Sequence, residues 1–118
     1  MLMLGDWVSF KGSDLTHQVK AIAGKSIKVD KDKWYSANTL QPIPLTPEIL
    51  KKNGFEDIND IYIARCTNIH YPCPIFIEYC CANNCLYIND GLIPEPILYV
   101  HELQHALRLC GIDKEIIL

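Results

Sequence analysis

Short runs that alternate polar and apolar residues fill the first third of the chain and predict β-structure. These runs are residues 6–10, 18–22, 26–30, 33–35 and 39–40. Turn residues such as Gly12 and Gly24 separate them. Several short strands that are closely spaced by turns are typical of a small barrel or a strongly curled sheet. We therefore predict an SH3-like β-barrel or curled sheet as a subdomain over residues 1–44.

The segment after the stiff connector at residues 42–44 carries a full set of helix signals. Thr46 stands at the N-cap position and Pro47 at the first helical position, where these residues are favoured. Two lysines, Lys51 and Lys52, come at the end of the run, and Gly54 follows where helices commonly stop. The segment predicts a linking helix of about two turns, held by packing because so short a helix is unstable alone.

The second half of the chain returns to strand patterns and closes with a longer helix. Residues 61–66, 74–80 and 85–88 form strand-like apolar runs between turn residues, which predicts an antiparallel meander. A helix is predicted over residues 96–110, ended by Gly111, with a last edge strand over residues 115–118. The predicted fold class is α+β, and residues 45–118 form its second subdomain: helix, meander and C-terminal helix packed on the meander.

The predicted C-terminal helix has a broad apolar arc and an opposite polar side. The arc consists of Tyr99, Val100, Leu103, Ala106, Leu107 and Cys110. The polar side carries His101, Gln104, His105 and Arg108. We predict that the arc belongs to the core and that the polar side is solvated.

Composition and charge narrow the classes of function. The chain has 118 residues, a formal net charge of −3 and a pI near 5.7, which disfavours a general nucleic-acid binder. No run approaches the ~20 apolar residues that span a bilayer, so no membrane association is predicted. The N-terminus lacks the cationic and apolar regions of a signal peptide. A cytoplasmic location with all six cysteines reduced is therefore expected.

One motif in the C-terminal helix suggests a chemistry. His101, Glu102 and His105 form an H-E-x-x-H pattern, which places two imidazoles on nearly one helix face. Two such histidines could bind zinc, with Glu102 as general base on a metal-bound water. However, catalytic zinc usually takes three protein ligands, and Arg108 and Gly111 stand where the extended pattern requires Gly and His. The favoured interpretation has no catalytic, cofactor-binding or metal-ligating residue; the alternative is a minimal zinc hydrolase.

The cysteines offer a second, weaker metal pattern. Cys66, His70 and Cys73 lie close in sequence, as do Cys81 and Cys85, and all five are soft ligands. Structural zinc sites favour C-x2-C knuckles, which the chain lacks. Free cysteines that behave as small apolar residues are the favoured interpretation.

The aromatic residues of the first subdomain have two open interpretations. Trp7, Trp34 and Tyr35 could line a peptide-binding groove on a small barrel. The favoured alternative is that a barrel of this size uses its aromatic residues as core.

Several segments together carry a resemblance to a known group. They are residues 5–8, 42–50, 53–55 and 99–107. In these segments the chain resembles a group of small uncharacterised proteins of gut bacterial genomes, often found in phage-like or mobile elements. The resemblance covers most of the chain and preserves the order of strand-rich start, P-I-P-L-T helix, meander and H-x-L-Q helix. The group's pattern lacks both the acid after the first His and the second His, so the resemblance implies that the H-E-x-x-H match is incidental.

These observations lead to one favoured hypothesis and one alternative. The favoured hypothesis is a non-enzymatic accessory or protein-interaction protein of mobile-element origin, with an unknown protein partner and no cofactor. The alternative is a zinc-dependent hydrolase of the metallopeptidase type at residues 101–105.

Overall fold

The computed structural model describes residues 2–29, 33–66, 75–89, 91–112 and 114–118. Within these ranges the chain forms antiparallel sheets and two α-helices, which confirms the predicted α+β class. The chain divides into two compact units. The first is Met1–Pro44 with Tyr99–His101, and the second is Leu45–Leu98 with Glu102–Leu118. None of the described helices is long and apolar enough to cross a membrane.

The first unit contains two three-stranded antiparallel sheets in its described residues. One sheet has the order β2-β1-β6, with β1 Trp7–Phe10, β2 Thr16–Gln18 and β6 Leu40–Pro42. The other has the order β3-β4-β5, with β3 Ala21–Ala23, β4 Ser26–Lys28 and β5 Trp34–Ser36. No ladder joins the two sheets among the described residues, so these strands form no closed barrel.

The predicted strand over residues 18–22 is wrong at its centre, where the chain passes from one sheet to the other. The Val19 N–H donates to the carbonyl oxygen of Asp6 at 2.9 Å, and the Lys20 N–H donates to that of Lys28 at 2.7 Å. Successive amides thus bond to different sheets, which ends one ladder and begins the next. The buried cluster of the unit consists of Val8, Val19, Ile27, Val29 and Leu40.

Asp6 ties the N-terminal segment to this unit. Its side chain is fully buried, and its carboxylate oxygen Oδ2 accepts a hydrogen bond from the Met3 N–H at 2.7 Å. The Asp6 N–H donates in turn to the carbonyl oxygen of Met3 at 3.2 Å. A buried carboxylate is tolerated only when hydrogen bonds replace its hydration, and the Met3 amide supplies one of them.

The second unit contains one five-stranded antiparallel sheet in the order β11-β10-β9-β8-β7. Its strands are β7 Glu56–Ile58, β8 Ile61–Cys66, β9 Ile75–Cys80, β10 Cys85–Ile88 and β11 Gly91–Leu92. The meander of three strands predicted from the sequence is confirmed as β8, β9 and β10. The sequence pattern did not predict β7 or β11, because strands of three and two residues carry too little alternation.

Residues in the left-handed conformation close the hairpins of this sheet. Asn59 and Asp60 have φ of 52° and 68° and connect the paired residues Ile58 and Ile61. Positive φ at both central residues is the requirement of a type I′ turn, which matches the twist of the strands. The Asp60 N–H also donates to Oδ1 of Asp57 at 3.1 Å, so the turn carries its own side-chain bond.

The linking helix is confirmed as α1, Pro47–Lys52. Its N-cap is Thr46, whose hydroxyl oxygen accepts a hydrogen bond from the Ile49 N–H at 3.3 Å. Gly54 follows the helix with a φ of 86°, a conformation that favours glycine.

The C-terminal helix α2 spans Val100–Leu109 and therefore begins later than the predicted residue 96. The residues before it are extended: the Ile97 N–H donates to the carbonyl oxygen of Asn84 at 2.8 Å, and Tyr99 forms an isolated bridge with Pro44. These backbone bonds to distant segments compete successfully with the local proline signals. The predicted apolar arc is confirmed at its centre, where Val100, Leu103, Ala106 and Leu107 are buried.

The predicted edge strand over residues 115–118 is wrong, because a side chain holds this segment instead of a ladder. The Ile117 N–H donates to Oδ1 of Asn53 at 2.7 Å, and Nδ2 of Asn53 donates to the Ile117 carbonyl oxygen at 2.7 Å. The carboxamide thus reproduces the paired bonds of a β-bridge. Lys52 adds a bond from Nζ to the backbone oxygen of Leu118.

Candidate functional site

His101, the first histidine of the motif, lies in the first turn of α2. Its ring stacks on Tyr99 with the centroids 5.9 Å apart and the planes at 14°, and its Nδ1 atom is buried. His101 as a whole is half-buried, so its side chain is not fully solvated as predicted. The residue lines a cavity of about 250 Å³ together with Leu2, Val8, Leu40, Gln41 and Pro42.

Glu102, the candidate general base, is engaged at the beginning of α2. Its Oε1 atom accepts a hydrogen bond from the Leu98 N–H at 2.9 Å. A carboxylate in the first turn of a helix also interacts favourably with the partial positive charge there. The observed geometry therefore gives Glu102 a capping role at the beginning of α2.

The rest of the predicted polar side divides between buried and exposed residues. Gln104 is only 8% exposed, so the prediction that it is solvated is wrong. His105 is half-buried, whereas Arg108 is exposed as predicted. A helical wheel gives the direction of each side chain, but the neighbouring segments determine which directions are covered.

The described residues do not complete a catalytic zinc site. Among them, no group of three or more His, Cys, Asp or Glu side chains is arranged to hold a metal ion. Catalytic zinc usually takes three protein ligands, and the described residues provide no such group around the motif. The group of Cys66, His70 and Cys73 involves residues 67–74, which lie outside the described residues.

The sheet of the second unit has an unusual solvent-facing side. Its inner face carries Tyr62, Ala64, Ile77, Tyr79 and Leu86, all of which are buried. The residues between them point the other way, and we call this side the outer sheet face. Its members whose side chains the structure describes are Glu56, Ile58, Ile61, Ile63, Phe76, Glu78, Cys80, Cys85, Tyr87 and Leu92. An antiparallel sheet with one solvated face normally places polar residues there, but this face is mostly apolar.

The strand register makes part of this face contiguous. Ile61 lies opposite both Ile58 and Cys80, and Cys80 lies opposite Cys85 in the next strand. Side chains of directly opposed residues are in contact range, with Cβ atoms ~4.5–5.5 Å apart. Ile58, Ile61, Cys80 and Cys85 therefore form one continuous row, whereas Phe76 lies opposite Arg65 and is separated from this row along β9 by Glu78.

Two acidic residues, Glu56 and Glu78, are among the described side chains of this face, and Arg65 lies opposite Phe76 in the strand register. Glu78 is half-buried and has Ile63 and Tyr87 as its cross-strand neighbours. Glu56 lies opposite Ile63 at the edge of the same row and is exposed. A carboxylate among apolar side chains gives the surface a polar feature that a ligand can recognise.

The aromatic residues of the first unit have separate roles. Tyr35 packs against the buried cluster, with its ring centroid 4.7 Å from that of Phe10. Trp34 is 46% exposed, and Nζ of Lys28 lies 5.8 Å from the centroid of its ring. The prediction of an aromatic core is confirmed for Tyr35 and is wrong for Trp34.

Sequence reasoning missed the outer sheet face, although one signal for it was present. The run Ile75–Phe76–Ile77 is apolar at consecutive positions, which puts apolar side chains on both faces of a strand.

No family model matches the chain, and neither a curated protein nor a solved structure matches it.

Proposed function

We propose that this chain is a non-enzymatic protein-interaction protein and that the outer sheet face is its contact surface. One observation carries the proposal: Ile58, Ile61, Phe76 and Leu92 lie on this face and are between 37% and 54% exposed. Single exposed apolar residues are ordinary on protein surfaces, but several on one sheet face, of which Ile58 and Ile61 are directly opposed, support a site of protein contact. Covering them removes apolar area from water, which drives association.

The chemistry of the face specifies its partner. Glu78 lies among apolar neighbours, so a partner that covers the face must also compensate its charge. A Lys or Arg on the partner meets this requirement. The second acid, Glu56, also favours a positive charge on the partner. The proposed partner is therefore a protein segment that presents apolar side chains around a basic residue.

The wider setting belongs to the same proposal. The resemblance in residues 42–50 and 99–107 supports an accessory protein of a mobile genetic element. The N-terminus, which lacks the features of a signal peptide, supports a cytoplasmic location. We propose that the sheets of the first unit form a small, SH3-like curled β-subdomain with a structural role. The bond from Leu98 to Glu102 supports a structural role for the motif helix.

The contact surface is tested by site-specific photo-crosslinking in cells that contain the natural partner. A photoreactive amino acid replaces Phe76, and a matched control replaces Leu109, which is 88% exposed on α2. We expect a crosslinked protein from position 76 and none from position 109. Crosslinking of the same protein from position 109 alone would place the contact elsewhere.

The protein identified in this way is then purified and titrated against the variants. Phe76→Glu places a charge in the proposed apolar contact, and we expect its affinity to fall at least about tenfold, or ~1.4 kcal/mol. Leu109→Glu should bind like wild type. Equal binding by Phe76→Glu and wild type would refute the outer sheet face as the contact.

The alternative hypothesis, a zinc-dependent hydrolase at residues 101–105, is tested by elemental analysis of protein purified without chelator. The favoured hypothesis expects no stoichiometric zinc. Near-stoichiometric zinc that is lost in His105→Asn would contradict the favoured hypothesis and favour the zinc-hydrolase alternative, because removal of one ligand abolishes such a site.

A further inference from the structure

Two cysteines of the outer sheet face stand directly opposite each other. Cys80 ends β9, Cys85 begins β10, and the register pairs them across the hairpin. Both are free thiols, and both are partly accessible to solvent. Opposed residues of an antiparallel pair have Cα atoms ~4.5 or ~5.5 Å apart, and both values lie within the ~4.4–6.8 Å range of disulfides.

A third thiol, that of Cys81, lies in the same hairpin but is a poor candidate for this chemistry. Neighbouring residues have Cα atoms ~3.8 Å apart, below the range of ordinary disulfides, so a bond from Cys80 to Cys81 is disfavoured. Burial raises the pKa of the Cys81 thiol, and the nearby charges of Cys80, Asp57 and Asp60 raise this pKa further. The thiolate is the nucleophile in disulfide exchange, so these effects reduce the reactivity of Cys81.

We propose that Cys80 and Cys85 form a reversible cross-strand disulfide by exchange with a small disulfide of the glutathione class, while Cys81 remains a thiol. One thiolate of the pair attacks a sulfur of the small disulfide, which releases one small thiolate and leaves a mixed disulfide. The second thiolate then attacks the protein sulfur of that mixed disulfide, so that the protein disulfide forms and a second small thiolate leaves. The four sulfur atoms balance: two protein thiols are oxidised, and one small disulfide is reduced to two thiols.

The reduced state has an interaction that the oxidised state loses. The Cys85 thiol donates to the carbonyl oxygen of Asn83 at 3.7 Å, and this bond disappears when the Sγ proton leaves. The disulfide would close the hairpin next to Ile61 on the outer sheet face. Its formation does not depend on the proposed binding function, so either proposal can fail alone.

The test uses the purified full chain, incubated with oxidised glutathione and then treated with iodoacetamide in denaturant, so that every remaining thiol is labelled. Cleavage after Glu78 and Glu102 yields a fragment of residues 79–102, because the bond after Glu95 precedes a proline and resists cleavage. Of the six cysteines, the fragment contains Cys80, Cys81 and Cys85. We expect one label, located on Cys81, and the loss of two hydrogen masses. Incubation with reduced glutathione before the labelling step should restore three labels on this fragment.

Single variants assign the bond. Cys81→Ser should form the same disulfide with no label on the fragment, whereas Cys80→Ser and Cys85→Ser should form none. Three labels on the wild-type fragment, a label on Cys80 or Cys85 alone, or a persistent glutathione adduct would overturn the proposal. Because the label is located on the wild-type protein, the test holds even if a serine variant fails to fold.

Discussion

At the residue scale, the carboxamide of Asn53 holds the C-terminal segment by hydrogen bonds. Asn53 is 7% exposed and bonds to both backbone groups of Ile117, while its Nδ2 also donates to the Ile49 carbonyl oxygen at 2.8 Å. It therefore joins the end of α1 to the C-terminal segment. A buried amide with several partners is costly to remove, because each partner left behind loses its hydrogen bond.

We expect Asn53→Ala to lower the free energy of unfolding by about 1–3 kcal/mol, the cost of buried groups left without partners. The Ile117 amide should also lose its protection from hydrogen exchange. Asn53→Asp is the informative control, since it keeps the acceptor for the Ile117 N–H but loses the donor to the Ile117 oxygen. A variant Asn53→Ala with wild-type stability and wild-type exchange at Ile117 would contradict this role.

At the element scale, α1 depends on its caps more than on its length. The helix has six residues, too few for independent stability, so its ends must be satisfied by specific bonds. Thr46 satisfies the Ile49 N–H, and Gly54 supplies the positive φ that follows the helix. The helix is therefore sensitive to substitutions that leave the apolar core unchanged.

We expect Thr46→Ala to cost about 1 kcal/mol, because it removes the N-cap acceptor. Gly54→Ala should cost about 1–2 kcal/mol for a different reason: a Cβ there meets no atom within 4 Å, so the cost is the left-handed conformation alone. Chemical denaturation measures both values. Thr46→Ser, which keeps a hydroxyl, is the matched control and should retain most of the stability.

At the scale of the whole molecule, the free energy of unfolding should depend on the protonation state of one buried phenol, that of Tyr79. Tyr79 is 2% exposed, and its hydroxyl oxygen lies 2.5 Å from the Ile97 carbonyl oxygen and 3.0 Å from Oδ1 of Asn84. Burial, with smaller effects from nearby charges that include Cys81 and Glu102, raises the pKa of Tyr79 to about 12. In the unfolded chain this pKa returns to its ordinary value of about 10.

The sign of the pH dependence follows from these two values. Above pH about 10 the unfolded chain releases the Tyr79 proton, while the folded chain retains it up to about pH 12. The stabilising contribution is therefore complete below pH about 10 and is lost as the pH rises toward 12. We expect Tyr79→Phe to be less stable at neutral pH but to lose less stability between these pH values. Denaturation curves at pH 9, 10 and 11 measure this, and equal pH slopes for both proteins would contradict it.

The sequence alone determined the elements whose signals lie within a few residues. The caps of α1 are neighbours along the chain, so Thr46 and Gly54 predicted its two ends correctly. The central strands β8, β9 and β10 and the apolar arc of α2 also follow from short-range periodicity. Local patterns were sufficient there, because the tertiary contacts reinforce what each segment already prefers.

Only the tertiary structure decided the features that depend on distant partners. Asn53 and Ile117 are 64 positions apart, so no local pattern shows that a side chain replaces the predicted edge strand. The burial of His101 and Gln104 depends on which segments cover the polar side of α2, and a helical wheel carries no information on those segments. Ile58 and Leu92 join the outer sheet face only because β7 and β11 pair with the meander, and these strands are too short to predict from alternation. Burial and exposure are properties of the assembled neighbours, and local periodicity gives only the directions in which side chains point.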